Sequence, residues 1–178
     1  VLAEEMGLPI HAVATPRHVF LRWDDGKFRR NIELFQKGRD VPDADYIREQ
    51  RIPKESLERG VFLASLTRKE FLGFIYQNRG VLESRREDYE ASGADYRRAL
   101  RLNPKLEAAH YNLGNDALKQ KRYRKAIRDY TRAFSLYPAD VWALHNRGLA
   151  WKGLGETEKA ERDWRLAREI DPGVNVPE

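Results

Sequence analysis

Apolar and small residues recur with a period of 34 residues through the C-terminal part of the chain. The triplet Asn-x-Gly begins at Asn78 and returns at Asn112 and Asn146, and a proline keeps the same step. Between triplet and proline, two alanines flank an aromatic residue: Ala126, Tyr130 and Ala133 in one unit, and Ala160, Trp164 and Ala167 in the next. A period of this length with these residue types predicts stacked helix-turn-helix units.

Residues 1–66 follow a different pattern, in which short apolar runs alternate with turn residues. The runs at 10–14, 18–23 and 28–35 are rich in β-branched and aromatic residues, as strands are. Asp24-Asp25-Gly26 is a turn signal between the last two runs and predicts a hairpin. The sequence therefore predicts an antiparallel β-hairpin within a small α+β segment.

Helical signals surround these strands. Pro42 and Pro53 each begin a predicted short helix, because proline costs no hydrogen bond in the first helical turn. Residues 1–6 resemble the end of a helix, with Gly7 as its C-terminal cap. Thr67 and Glu70 form a predicted capping box before the first helix of the array. The fold class predicted for the whole chain is mainly α, with the α+β segment first.

In the units that begin near residues 107 and 141, the small and aromatic positions are in register with the tetratricopeptide repeat, which the sequence resembles. The resemblance implies three repeats, at about 73–106, 107–140 and 141–174, within a domain of residues 67–178. The first repeat departs from the family pattern, because Ser92-Gly93 stands where the family prefers alanine. Small residues allow the two helices of a unit to approach, and Tyr130 and Trp164 are expected to fill the space between successive repeats.

The resemblance also implies a concave groove along the first helices of the repeats. We expect its ligand to be a peptide or helix of a protein partner, because asparagine amides can donate to and accept from a peptide backbone. In the alternative interpretation, the asparagines bond only within the array. The predicted groove residues are Phe74, Gln77, Asn78, Tyr111, Asn112, Asn115, Trp142, His145 and Asn146.

Some tetratricopeptide repeat proteins clamp the C-terminal carboxylate of heat-shock chaperones with lysines and an arginine. Here Gln77, Val81 and Trp142 stand where that clamp needs Lys, Asn and Lys, and Asn112 alone fits. The resemblance therefore disfavours a chaperone tail as the ligand.

Residues 1–66 resemble the second half of a bacterial transglutaminase-like domain, most closely at 16–20 and 32–38. That family uses a Cys-His-Asp set, and the resemblance implies His18 as general base and Glu33, or alternatively Asn31, as the residue that orients it. In the alternative interpretation His18 bonds a loop carbonyl and Glu33 faces solvent. The chain contains no cysteine, so the enzymatic alternative is the C-terminal part of a thiol hydrolase or acyltransferase whose nucleophile lies upstream.

Composition limits the kinds of site and partner that the chain can have. The absence of cysteine excludes disulfides and thiolate metal sites, the four histidines are scattered, and no cofactor or metal is expected. No apolar run is long enough to predict a membrane span, and acidic residues near Val1 argue against a secretion signal, so a cytoplasmic location is expected and the oligomeric state stays open. A net charge of +5 with interspersed acids makes nucleic acid an unlikely partner. One basic cluster consists of Lys119, Lys121, Arg122, Arg124, Lys125, Arg128 and Arg132.

Overall fold

A computed structural model of the chain describes residues 5–33 and 38–177. The chain divides into two compact units, one ending at Phe71 and the other beginning at Leu72. Gly7 has a φ of +67°, in keeping with its predicted place at a helix end, but residues 1–4 of that predicted helix lie outside the described residues.

The first unit contains a four-stranded antiparallel sheet in the order β3-β2-β1-β4. The turn at Gly26, where φ is +82°, joins β2 to β3 as predicted. The fourth strand was missed by sequence reasoning, because two residues are too few to show an alternating pattern. The strands are β1 (Ile10–Ala14), β2 (Val19–Asp24), β3 (Arg29–Ile32) and β4 (Ser65–Leu66).

The predicted third strand was longer than the observed one. After β3 ends at Ile32, Glu33 forms an isolated bridge with Arg39, and predicted strand residues 34–35 lie outside the described residues. Two short helices follow, at the places where proline predicted them: α1 (Asp43–Glu49) and α2 (Lys54–Glu58).

The core of the first unit forms where one face of β1 and β2 meets α1. Val13 and Phe20 are buried, and the Phe20 ring stacks on Tyr46 of α1 with 4.8 Å between ring centroids. Beside them Arg22 is also buried: its Nε donates to Asn31 Oδ1 at 2.8 Å, and its guanidinium also bonds Asp43. A buried guanidinium is tolerated here because its donors are used.

Six helices follow β4. The predicted capping box is present, because Glu70 N donates to Thr67 Oγ1 at 3.2 Å and Thr67 N donates to Glu70 Oε2 at 2.9 Å. The second helices of the units begin 34 residues apart, which is the period read from the sequence. The helices are α3 (Arg68–Arg85), α4 (Tyr89–Leu102), α5 (Glu107–Lys119), α6 (Tyr123–Leu136), α7 (Val141–Gly153) and α8 (Thr157–Ile170).

Glycine on the first helix of each unit allows an aromatic ring of the second helix to lie against it. A Cβ added at Gly114 would lie 2.6 Å from the Tyr130 ring, and one at Gly148 would lie 2.3 Å from Trp164 Nε1. Each ring therefore packs within its own helix pair, which the sequence prediction did not include. Tyr130 also reaches the following helix pair, as predicted, where it joins a cluster with Ala150.

Candidate functional site

The predicted groove residues lie on α3, α5 and α7, which are the first helices of the three helix pairs. In the second and third helix pairs, some of these residues form one hydrogen-bonded network. Asn146 Nδ2 donates to Tyr111 Oη and to Asn115 Oδ1, both at 3.1 Å, and Tyr130 Oη donates to the same Asn115 oxygen at 2.7 Å. The network links α7 to α5.

The asparagine column is therefore not uniform. Asn146 bonds within the array, as the alternative interpretation held. Asn78 is exposed and Asn112 is half-buried, and neither side chain has a hydrogen bond to another described residue. Those two amides are free to bind a ligand.

Aromatic side chains border this column. Trp142 is 53% exposed, and its ring makes an edge contact with His145, with 5.8 Å between centroids. Burial lowers the pKa of His145, and its Nδ1 is buried without a partner among the described residues. Phe74 packs partly into the core around Tyr96. Gln77 was predicted to line the groove but is only 8% exposed.

Two carboxyl groups meet at the start of α5 and α7, beside Trp142. Asp140 caps α7 by accepting from Trp142 N at 3.0 Å and Ala143 N at 3.2 Å. Glu107 is also buried, and it lies close enough to Asp140 for the two carboxyl groups to interact electrostatically. Burial raises the pKa of both groups, and the neighbouring Asp140 raises that of Glu107 further.

The N-terminal compact unit, which ends at Phe71, brings the predicted residues His18 and Glu33 together. His18 Nε2 lies 2.6 Å from Glu33 Oε1, and Glu33 is buried with 2% exposure. Thr15 Oγ1 lies 3.4 Å from the other ring nitrogen, Nδ1. Asn31, the alternative partner, instead accepts from Arg22 and donates to Asp43 Oδ1 at 2.8 Å. The interpretation of Glu33 as a solvent-facing carboxylate is therefore wrong.

Sequence reasoning missed Tyr46, which completes this group. Its hydroxyl donates to Glu33 Oε1, the same oxygen that faces His18. Burial and then the Glu33 carboxylate raise the pKa of Tyr46, so its hydroxyl keeps its proton and remains a donor. The one available signal was a lone aromatic residue in a short polar helix, which is not specific.

Within residues 5–33 and 38–177, no three His, Asp or Glu side chains converge in a way that could hold a metal ion. None of the helices in those ranges combines the length and apolarity needed to cross a membrane.

Comparison with known proteins places repeats in the second unit. Family models described as tetratricopeptide repeat match residues 75–106 and 107–140. The chain is 46% identical over 59 residues to the heat-shock protein cognate co-chaperone sgt12 of Aspergillus fumigatus, covering 33% of this chain and 17% of that protein. It is 33% identical over 71 residues to Hsp70-Hsp90 organizing protein 1 of Glycine max, covering 40% and 12%. The chain thus spans less than a fifth of either relative.

Solved structures agree on the fold. The crystal structure of MamA aligns with a TM-score of 0.55 and 26% identity, over 56% of this chain and 58% of that one. The second repeat domain of human RPAP3 in complex with an HSP70 peptide aligns with a TM-score of 0.57 and 24% identity, over 60% and 89%. At that identity the second likeness concerns the fold alone.

Proposed function

We propose that this chain, which carries tetratricopeptide repeats at residues 75–140, is a protein-interaction module that holds a peptide segment of a partner along α3, α5 and α7. Solved structures that share this repeat fold contain a bound peptide, and the proposal takes only that class of ligand from them. The observation that carries the proposal is the pair of unbonded amides at Asn78 and Asn112 on one helix series with the exposed ring of Trp142.

The chemistry of these residues favours an extended peptide. Each amide offers one acceptor and two donors, which matches a peptide group. Trp142 presents a large apolar surface, and an aromatic residue of this kind is the usual energetic anchor of an interface. The Asn115–Asn146–Tyr111 network holds α5 and α7 in a fixed relation, so the binding surface is preorganised.

The ligand proposed is not a chaperone tail. Structures of the RPAP3 repeats contain the HSP90 peptide SRMEEVD, but their identity to this chain is 23%, which supports the fold alone. In this chain the side chain of Gln77 is buried, Val81 is apolar and Trp142 carries no charge. A free carboxylate would find no lysine at these places, so we expect SRMEEVD and its C-terminally amidated form to bind equally weakly.

A displayed library of random peptides tests the proposal. Panning against the chain is expected to enrich a peptide family, and one member is then synthesised and measured by fluorescence anisotropy. The double variant Asn112→Ala/Trp142→Ala is expected to weaken binding at least about tenfold, a change equal to roughly 1.4 kcal/mol. Arg165→Ala, an exposed position on α8, is the matched control and should leave affinity unchanged. Peptides that bind the double variant as tightly as the parent chain would overturn the proposal.

A second candidate function rests on the contact between His18 and Glu33. A buried carboxylate holding one ring nitrogen leaves the other, Nδ1, to accept a proton, which is the arrangement of a general base that activates a nucleophile. Tyr46 donates to the same carboxylate oxygen and helps to hold it in place. This function, acyl transfer or hydrolysis through a thiol, requires a nucleophile from outside these 178 residues, because they include no cysteine.

The tautomer of His18 tests this second candidate. If Glu33 accepts a hydrogen bond from Nε2–H, ¹⁵N spectra of the neutral ring should show the Nε2–H form, and Glu33→Gln should reduce that preference. Asn31→Ala is the control, because Asn31 does not contact the ring. A neutral ring protonated at Nδ1 would exclude His18 as a general base, since Nδ1 would then have no lone pair to accept a proton.

A further inference from the structure

A cavity of about 310 Å³ opens where the first repeat meets the second. Residues of α4, α5 and the start of α6 line it, and none of them belongs to the proposed groove. The lining residues are Tyr89, Glu90, Gly93, Arg97, Leu113, Asp116, Gln120, Arg122 and Lys125.

The next junction along the array is an internal reference, because each lining residue has a counterpart 34 positions later. Gly93 corresponds to Ile127 and Leu113 to Arg147. Arg147 spans its junction: it donates to Asp163 through Nε at 2.7 Å and to Thr131 Oγ1 at 3.1 Å. Two large side chains at the second junction are thus replaced at the first by glycine and by a leucine that offers no donor.

The replacement of arginine by Leu113 changes the partner of a buried carboxylate that recurs in each repeat. Arg79 bonds Asp95 in the first repeat, as Arg147 bonds Asp163 in the third. The equivalent carboxylate of the second repeat is Asp129. Its Oδ1 lies 3.8 Å from Nε of the neighbouring Arg128, and its Oδ2 is buried without a hydrogen-bond partner among the described residues. Burial raises the pKa of Asp129. The position of Leu113 is therefore one where the array elsewhere supplies a cation.

The pairing of charges also differs between the two junctions, although the reverse exchange occurs at Glu90, whose counterpart is Arg124. At the second, Lys159 Nζ pairs with Glu156 Oε2 at 3.1 Å. At the first junction, Lys125 corresponds to Lys159, and Arg122 corresponds to Glu156, so Lys125 has a cation and not an acid at the equivalent position. Across the described part of the chain, neither side chain has a carboxylate within ion-pair distance, and the same holds for Arg97.

Two acids share the cavity lining. Asp116 is buried and already accepts hydrogen bonds from Ser84 Oγ and Ser92 Oγ. Glu90 is exposed and is the one lining carboxylate without such donors in the described ranges. The uncommitted groups are therefore three cations against one carboxylate, which favours an anionic ligand.

We propose that this cavity binds a carboxylate side chain of an acidic peptide segment. Arg97 and Arg122 supply guanidinium groups that can hold a carboxylate through two hydrogen bonds, and Lys125 adds a third charge. A volume of about 310 Å³ is at the lower end of the range for ligand pockets, so it admits one side chain and not a folded surface. This site is additional to the groove proposed above.

The probe is the peptide acetyl-Glu₅-amide, with acetyl-Gln₅-amide as the neutral comparison, titrated into ¹⁵N-labelled chain. Shifts are expected at the backbone amides of Gly93, Arg97 and Arg122. The double variant Arg97→Thr/Arg122→Glu, which installs the residues of the second junction, should weaken binding at least tenfold. Lys121→Glu is the matched control, because Lys121 is exposed and does not line the cavity.

A second variant fills the cavity without removing a charge. Gly93→Ile installs the residue of the second junction, and the three atoms nearest to a Cβ at Gly93 all belong to the flexible end of Arg97, the closest at 3.1 Å. It should also abolish binding while retaining the helical circular dichroism spectrum. Equal loss in Lys121→Glu, or equal binding of the glutamine peptide, would reduce the effect to general surface charge and overturn the proposal. Inorganic phosphate binding as tightly as the glutamate peptide would overturn the peptide assignment.

The groove variant distinguishes the two proposals. Asn112→Ala/Trp142→Ala should lose the selected library peptide and keep acetyl-Glu₅-amide, and Arg97→Thr/Arg122→Glu should show the reverse. Shifts from the glutamate peptide at Asn78 and Asn112 in place of the cavity residues would remove the cavity site and leave the groove.

Discussion

The same substitution, glycine to alanine, is expected to change stability in opposite directions in two helices of this chain. Gly93 lies inside α4 and Gly114 inside α5. In an open helix, alanine is favoured over glycine by about 1 kcal/mol, because glycine loses more backbone freedom on folding. The surroundings of each glycine decide whether this gain survives.

At Gly114 the gain is outweighed. The added Cβ would lie 2.6, 2.7 and 2.9 Å from three atoms of the Tyr130 ring, and that ring is fully buried. Its hydroxyl is also fixed on Asn115, so it cannot move aside freely. Overpacking costs about 1–3 kcal/mol, and contacts under 3.0 Å with a ring that cannot move aside place this substitution in the upper part of that range, at about 2–3 kcal/mol. We expect Gly114→Ala to lower the free energy of unfolding by about 1–2 kcal/mol after the helix gain is subtracted.

At Gly93 the gain is retained. The nearest atom to the added Cβ is Nη1 of Arg97, at 3.1 Å, and Arg97 is exposed. A flexible side-chain end can shift at little cost, so Gly93→Ala should raise the free energy of unfolding by about 0.5–1 kcal/mol.

Urea unfolding followed by circular dichroism measures both changes, and thermal melts provide a second reading. For a domain of this size, 1 kcal/mol corresponds to roughly 4 °C in Tm. Gly114→Ala should melt roughly 4–8 °C lower than the parent chain, and Gly93→Ala roughly 2–4 °C higher. A higher Tm for Gly114→Ala, or a lower one for Gly93→Ala, would refute the packing argument.

Two further predictions concern buried charge. Arg147→Met is expected to lower the free energy of unfolding by roughly 2–4 kcal/mol in urea denaturation, because it leaves Asp163 buried and unpaired. Arg79→Met should lower the free energy of unfolding less, because Arg79 is more than half exposed. Equal losses for the two variants would contradict this reasoning. Glu107→Gln should stabilise the chain at neutral pH. The folded state raises the pKa of Glu107 beside Asp140, so the folded state favours the protonated carboxyl group. The contribution of Glu107 to stability is therefore complete below the ordinary carboxyl pKa and is lost as pH rises through the folded-state pKa. The advantage of Glu107→Gln over the parent should therefore shrink in melts at acidic pH, and an advantage that grows on acidification would show the sign to be wrong.

The sequence was most informative where structure depends on local or periodic patterns. The 34-residue period predicted the helix pairs, and the capping box at Thr67 and Glu70 marked the start of the array. Pro42 and Pro53 marked the two short helices of the first unit. In each case the physical cause lies within one helical turn or one repeat, so a single sequence contains it.

The candidate sites were predicted less completely. The pattern placed Asn78, Asn112 and Asn146 in equivalent positions, yet only the third bonds within the array. Its partners Tyr111 and Asn115 are more than thirty residues away, and no local signal reports such a contact. Gln77 was assigned to the groove by repeat register, but packing within the first unit of the array buries it.

The sequence alone determined the repeat architecture, the glycine and alanine positions that allow close helix packing, and the residue types available at each candidate site. Tertiary structure decided which of those residues meet. It placed Tyr46 and His18 on the same buried oxygen of Glu33, and it left a cavity beside Arg122 at one junction of the array. Such outcomes depend on distances and burial between segments that are remote along the chain, and these are properties of the folded molecule.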